Sequence, residues 1–299
     1  MRAARSAVVL TVALAMLAAV QAPAAAASKS ARPGFCEPGT VNEVLWEECR
    51  LLLRAKKSLD PDGVLNWSRE RKVKRWAGVE LSDDGVHIVG LDLSHRALTG
   101  RLSPLLGRLV FLEEIDMGHN ELTGSIPPEL GNLAALRRLN LNHNRLGGKI
   151  PPELGRLNNL EKLELAGNNL RGKIPNALEN LKNLQRFILR DNQLTGNIPN
   201  WLSDFPELRF VWLTNNQFTG KLPPDLGSLP SLQYLRVQNN QLTGKIPDSY
   251  AHREWRCLLL AGNNLDDTCL PRTLKGKVKT QDMRACPKPK KGAASHGRT

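Results

Sequence analysis

The chain has 299 residues, with 42 Lys or Arg against 29 Asp or Glu, a formal charge of +13 and only 5% aromatic residues. Such a length admits one large domain or an extended array. Nine of the basic residues and a single acid, Asp282, lie from Leu270 onward. The charge is therefore a property of a tail and not of a nucleic-acid-binding face, because the body without Arg2 and Arg5 is only about +3.

Residues 1–27 couple Arg2 and Arg5 to an apolar run from Ala7 to Val20, followed by small residues. This is the pattern of a secretory signal peptide cut near Ala27. A membrane anchor is the competing reading, but a spanning helix wants about 18 apolar residues, and Gln21 and Pro23 end this run early. No later segment is apolar enough to span a bilayer, so the sequence predicts a secreted mature chain, extracellular or in a cell wall, with no transmembrane segment. Of five cysteines, Cys36 and Cys49 sit near the mature start and Cys257, Cys269 and Cys286 near the end. In an oxidising compartment that distribution reads as two pairs and one cysteine over, stapling the ends where a core runs out. Cys269–Cys286 is the preferred C-terminal pair; Cys257–Cys269 and Cys257–Cys286 stay open.

Residues 28–87 precede the regular part of the chain. Here "NWS" at Asn66 is the only N-glycosylation sequon, and "RERKVKR" from Arg69 to Arg75 reads as a solvated loop. From Ile88 the chain repeats every 24 residues, with units beginning at Ile88, Leu112, Leu136, Leu160, Leu184, Leu208 and Leu232 and a truncated eighth at Trp255. Counting each leading residue as position 1, apolar residues recur at 4, 6, 11, 15, 19 and 22, with Gly at 13 and Pro at 16. Position 9 is Asn120, Asn144, Asn168, Asn192, Asn216, Asn240 and Asn263.

Positions 3 to 7 alternate outward and inward, the period of a short strand. The Gly and Pro then bend the chain and forbid a long helix. Units of this kind stack their strands in parallel at about 4.8 Å, each apolar face covered only by its neighbour. The asparagine column reads as structural, since an amide can donate to and accept from backbone groups where the chain leaves the strand.

At these residues the chain resembles the plant-type leucine-rich repeat family. "LTGSIPPELGNLAALRRLNLNHN" and its sister segments match that family's L-T-G-x-I-P repeat almost residue for residue, from Ile88 to about Leu265. The resemblance implies an α/β right-handed solenoid: a curved horseshoe with a parallel sheet on the concave side, 3₁₀ turns on the convex back and a helical N-terminal cap. It sets the array at residues 88–268 and the C-terminal cap and basic disordered tail at 269–299. "TVNEVLWEECRLLLRAKKSLDPDGVLNW" is similar to the family's N-terminal cap, with Thr40 and Glu43 as a capping box and Asp60 to Gly63 as the closing turn. Lys74 and Leu81 stand where that family's cap usually has cysteines, and Cys36–Cys49 is the replacement staple the resemblance suggests.

The outward strand positions map a surface. Early repeats carry mixed charge, whereas later ones place Arg186, Ile188, Arg190, Phe210, Trp212, Tyr234 and Arg236 in the same columns. Side chains on neighbouring strands lie about 5 Å apart, so these residues form an apolar patch ringed by arginines. Trp, Tyr and Arg dominate interface energetics, and an exposed apolar cluster marks a contact site. The plainer reading is cross-strand packing that stabilises the sheet. His95, His119 and His143 share position 8 of consecutive repeats. They read as a weak metal candidate, a proton-sensitive edge or simply an exposed polar turn.

No catalytic motif is present: there is no G-x-G-x-x-G, no G-x-S-x-G and no C-x-x-C. The sequence therefore predicts a non-enzymatic recognition protein without cofactor, taking an extracellular protein or peptide on its concave face. The resemblance covers receptor-like-kinase ectodomains and inhibitors of microbial polygalacturonases, and hence signalling or defence. The alternative is a structural wall component that holds polysaccharide through the concave aromatics and the basic tail.

Overall fold

The computed structural model describes Cys36 and residues 41–252 and 254–266. The signal segment, Thr40, Cys269, Cys286 and the basic tail lie outside the described residues.

One α-helix, α1 (Glu43–Leu59), opens the cap. Its inner stripe of Leu45, Cys49, Leu52, Ala55 and Leu59 is buried, an i, i+3/i+4 spacing that points one face at the first repeat. The N-cap differs from the capping box expected from sequence. Asn42 occupies it, its side chain accepting from Leu45 N–H at 2.8 Å. Glu43 is thus the first helical residue, too close to the cap to reach back to it, and serves only the helix dipole. At the far end the Asp60 carboxylate accepts from Val64 and Leu65 N–H, both at 2.8 Å, and so holds the closing turn.

From there the chain winds as a right-handed solenoid. A nine-stranded sheet lines the concave side. Its first strand, Val79–Leu81, belongs to the cap and runs antiparallel to Ile88–Asp92; every later neighbour, from Glu114–Asp116 to Cys257–Leu259, is parallel and one repeat further on. The register matches the 24-residue period, with Ile115 opposite Leu139 and Leu139 opposite Leu163. On the flank, further parallel strands (Gly147–Gly148, Asn169–Gly172, Gln193–Asn197, Gln217–Thr219) form a second sheet. Five-residue 3₁₀ turns, from Pro104–Arg108 to Asp248–His252, make the back.

The core is one continuous column. In the second repeat Leu112, Ile115, Met117, Leu122, Ile126, Leu130 and Leu133 are all buried, and the pattern recurs in each unit. At about 1.5–3 kcal/mol per buried side chain, this column dominates the stability. The asparagines tie unit to unit. Asn168 donates to Leu141 O of the preceding repeat at 2.9 Å and to its own Leu165 O at 3.1 Å, while its Oδ1 accepts from Leu146 N–H at 3.0 Å. Asn120, Asn144, Asn216 and Asn240 repeat the arrangement, and the half-buried Asn192 and Asn263 do so at their turns.

Candidate recognition face

The concave sheet divides into two halves of different chemistry. In the first, charges on neighbouring strands satisfy one another. Arg138 reaches Asp116 at 2.8 Å and Glu164 at 3.9 Å, and Arg186 meets Glu164 at 2.9 Å. Asn140 adds a hydrogen bond to Asp116 at 2.9 Å. Glu164 is only 5% exposed, held between two guanidiniums. A ladder closed in this way leaves little unspent attraction for a ligand.

The second half spans Arg186–Ile188, Phe210–Trp212 and Tyr234–Arg236, which pair in parallel with Phe210 opposite Tyr234 and Trp212 opposite Arg236. The seven residues read from sequence as the contact patch do come together here. Phe210 and Tyr234 stack at 4.7 Å, Trp212 meets the Phe210 edge at 6.2 Å, Arg186 lies over Phe210 at 5.2 Å and Arg236 over Trp212 at 4.5 Å. Their exposure differs from the sequence expectation. Ile188 and Tyr234 are buried, at 3% and 6%, and only Phe210, Trp212 and the arginines are half-open. Strands about 4.8 Å apart bring planar rings into contact, so the patch largely covers itself, and Cys257 and Leu259 on the next strand close its far side.

Two residues at the site were missed from sequence. Thr214 and Gln238 follow Trp212 and Arg236 by two positions, on the third outward column, and both are buried. Trp212 Nε1, Thr214 Oγ1, Arg236 Nε and Gln238 Oε1 are buried and have no hydrogen-bond partner among the described residues. Thr214 and Gln238 share position 7 with Arg190, and extending that outward column to the next two repeats would have found them. Arg190 is neutralised by Asp191 at 2.5 Å, whereas Arg236 has no carboxylate partner among the described residues. Burial, and then Arg190, hold the Arg236 guanidinium below its ordinary value, although such a group stays charged at neutral pH.

A sequence model of leucine-rich repeat regions matches residues 91–264. The chain belongs to the leucine-rich repeat family. Among solved structures it is similar to the PEPR1–AtPEP1 structure, with a TM-score of 0.68, 32% identity, and coverage of 73% of this chain and 32% of that one. It is also similar to a plant ice-binding protein, with a TM-score of 0.59, 25% identity, and coverage of 75% and 88%. A TDR receptor matches with a TM-score of 0.51, 33% identity, and coverage of 64% and 36%. The chain thus spans about a third of the length of the matched chain in the PEPR1–AtPEP1 structure and of the TDR receptor chain. No curated protein matches.

The other residues singled out in this leucine-rich repeat protein lie elsewhere. His95, His119 and His143 stack face to face, at 4.3 and 4.5 Å between ring centroids, each in the left-handed conformation. Parallel rings send their nitrogens in parallel and not toward a common point, and no group of three His, Cys, Asp or Glu among the described residues is placed to hold a metal. The weak metal reading therefore gives way to an imidazole ladder that ends on Arg190, 3.3 Å from His143 Nε2. Burial first, then His119 and Arg190, hold the His143 imidazole below its ordinary range.

In the cap, Cys36 and Cys49 are buried thiols that hydrogen-bond one another, a contact that with burial pushes the Cys49 thiol up. Cys257 is disulfide-bonded. Cys269 and Cys286, and with them the expected C-terminal pairing, lie outside the described residues. Asn66 is exposed, but its amide is in use, donating to Arg75 O at 3.2 Å and accepting from Ala77 N–H at 2.7 Å. Among the described residues, no helix is long and apolar enough to cross a membrane.

Proposed function

We propose that this chain is a secreted, non-enzymatic recognition protein that takes an extended protein or peptide segment on the concave face around Phe210, Trp212, Arg236 and Gln238. One observation carries the reading. Four buried polar atoms without partners sit beside an arginine-capped ring cluster. Buried polar groups are hydrogen-bonded in more than nine cases of ten, so such a group of orphans marks where a ligand completes the set. A peptide backbone supplies both donors and acceptors, and an acidic group on it would neutralise Arg236. Similarity to the PEPR1–AtPEP1 structure supports recognition as the class of activity. A role in extracellular signalling, or in defence by inhibiting a wall-degrading enzyme, follows from the family resemblance. Cys36 and Cys49 close as a disulfide in the oxidising exterior, and Asn66 carries a glycan whose linkage keeps one amide N–H.

The competing polysaccharide reading needs open ring faces. Phe210 is covered by Tyr234 on one side and Arg186 on another, and Arg236 lies on Trp212. These covers leave less open ring for a pyranose to stack on, which favours the peptide.

Selection from a displayed random-peptide library, followed by calorimetry on the winners, tests the proposal. Peptides should bind the wild-type chain and lose at least about tenfold in Kd with Trp212→Ala, the size of a central interface residue. Arg236→Gln should weaken the acidic ones selectively. Selected peptides that bind both variants as tightly as wild type would overturn the concave site.

A further inference from the structure

The flank of the solenoid presents positions 10, 12 and 14 of each repeat, beside the short strands of the second sheet. Position 14 holds Arg101, Ser125, Lys149, Lys173, Asn197, Lys221 and Lys245, and its five cations are all exposed. Arg145 and Arg171 stand on the neighbouring columns. Glu121 is the one carboxylate on this face from Ile88 to Lys245, and it is bound to Arg145 at 3.0 Å. The face therefore carries +6 while the body without signal and tail carries about +3, so the remaining surface of the body is net acidic. Basic charge is segregated here, not merely abundant. None of the five position-14 cations is in an ion pair among the described residues.

The side chains are also aligned. Position 13 is Gly at positive φ, +82° at Gly172, +79° at Gly196 and +79° at Gly244. A Cβ built there would meet Lys149 Cγ at 3.2 Å, Lys173 Cγ at 2.8 Å and Lys221 Cγ at 3.2 Å. The stems of Lys149, Lys173 and Lys221 thus lie along the solenoid axis, each in the track left by the glycine of the following repeat. The ammonium groups form two pairs on adjacent units, Lys149 with Lys173 and Lys221 with Lys245, separated by Asn197. The repeat of about 4.8 Å is of the order of one sugar residue. Between the cations stand Gln193, Gln217, Gln241, Thr195 and Thr219, whose amides and hydroxyls suit sugar hydroxyls. The three columns hold no aromatic ring to stack a base and no large apolar side chain to enter a bilayer.

We propose that this flank binds an extended acidic polysaccharide, a polyuronate, whose carboxylates pair with the two lysine pairs, Lys149 with Lys173 and Lys221 with Lys245. The concave face stays free, so one molecule could hold a wall polymer and a peptide together.

The test measures Kd of the full chain for polygalacturonate between 50 and 200 mM salt, roughly the range over which polyanion contacts separate by salt dependence. One variant replaces Lys149, Lys173, Lys221 and Lys245 by Gln. A charge-matched control replaces the exposed Arg69, Arg71, Lys74 and Arg75 of the cap loop by Gln. The flank variant should lose at least tenfold and show a shallower salt dependence, while the control loses less than twofold, and Arg at the same four positions should restore binding. All changes are on exposed side chains, and equal thermal midpoints verify folding. Equal losses in the two Gln variants would reduce the effect to net charge and overturn the proposal. An undiminished flank variant would assign binding to the basic tail. Single-stranded DNA held as tightly, and lost in the same variants, would overturn the choice of a sugar polymer.

Discussion

At the scale of single residues, stability rests on polar groups that are buried because the winding leaves them no water. Asn168 spends its whole amide on backbone groups of two repeats. Asn168→Ala strands those groups and should cost about 1–3 kcal/mol, read from a shift in the urea midpoint at unchanged slope. Glu48 is the second case. Its carboxylate accepts from Ile88 N–H at 2.7 Å, with His87 3.7 Å away, and burial pushes its pKa up to about 7 from 4.5. A raised folded-state pKa means that the folded chain keeps a proton the unfolded chain releases. The contribution is full below pH 4.5 and is lost, by on the order of 3 kcal/mol, as pH rises to about 7. Glu48→Gln keeps an acceptor and removes the charge, so it should be more stable than wild type at pH 8 and no more stable at pH 4. Denaturation midpoints across that range decide it.

Among the elements, His143 at the end of the histidine ladder has the opposite pH sign. His143 is held below its ordinary value by burial and by its neighbours, so protonation opposes folding. Stability from the His143 shift is present above the unfolded value of 6.5 and is lost as pH falls through it toward the lower folded value. Asn215 and Asn239 already adopt the same left-handed conformation at position 8, with φ of 53° and 56°. Replacing all three histidines by Asn therefore fits the backbone. The variant should match wild type at pH 7.5 and exceed it at pH 5 by less than about 1 kcal/mol, since exposed edges are screened. Helix α1 offers a simpler check: Asn42→Ala removes the acceptor for Leu45 N–H and should cost about 1 kcal/mol in thermal denaturation.

For the whole molecule, the architecture is one-dimensional, each unit covered only by the next. Leu163 is fully buried in the middle of the column. Leu163→Ala should cost about 2–5 kcal/mol, and limited proteolysis should cut first in the repeats on either side of it. A change of the same size in the cap should fray one end only.

The 24-residue period, the strand register and the inward columns were all legible in the sequence, because hydrophobic spacing and fixed Gly and Pro positions repeat without interruption. So was the gathering of Arg186, Phe210, Trp212, Tyr234 and Arg236, since stacking in register places equivalent positions side by side. How far those side chains stay open was not legible. Tyr234 and Ile188 disappear under rings and stems from neighbouring strands, and that burial depends on rotamers that no single repeat encodes. The orphaned Thr214 and Gln238, the bond at Cys257 and the axial lay of the lysine stems were likewise decided only when separate units came into contact. Periodicity within a chain sets which face a side chain is on; packing between turns sets what remains for a partner to touch.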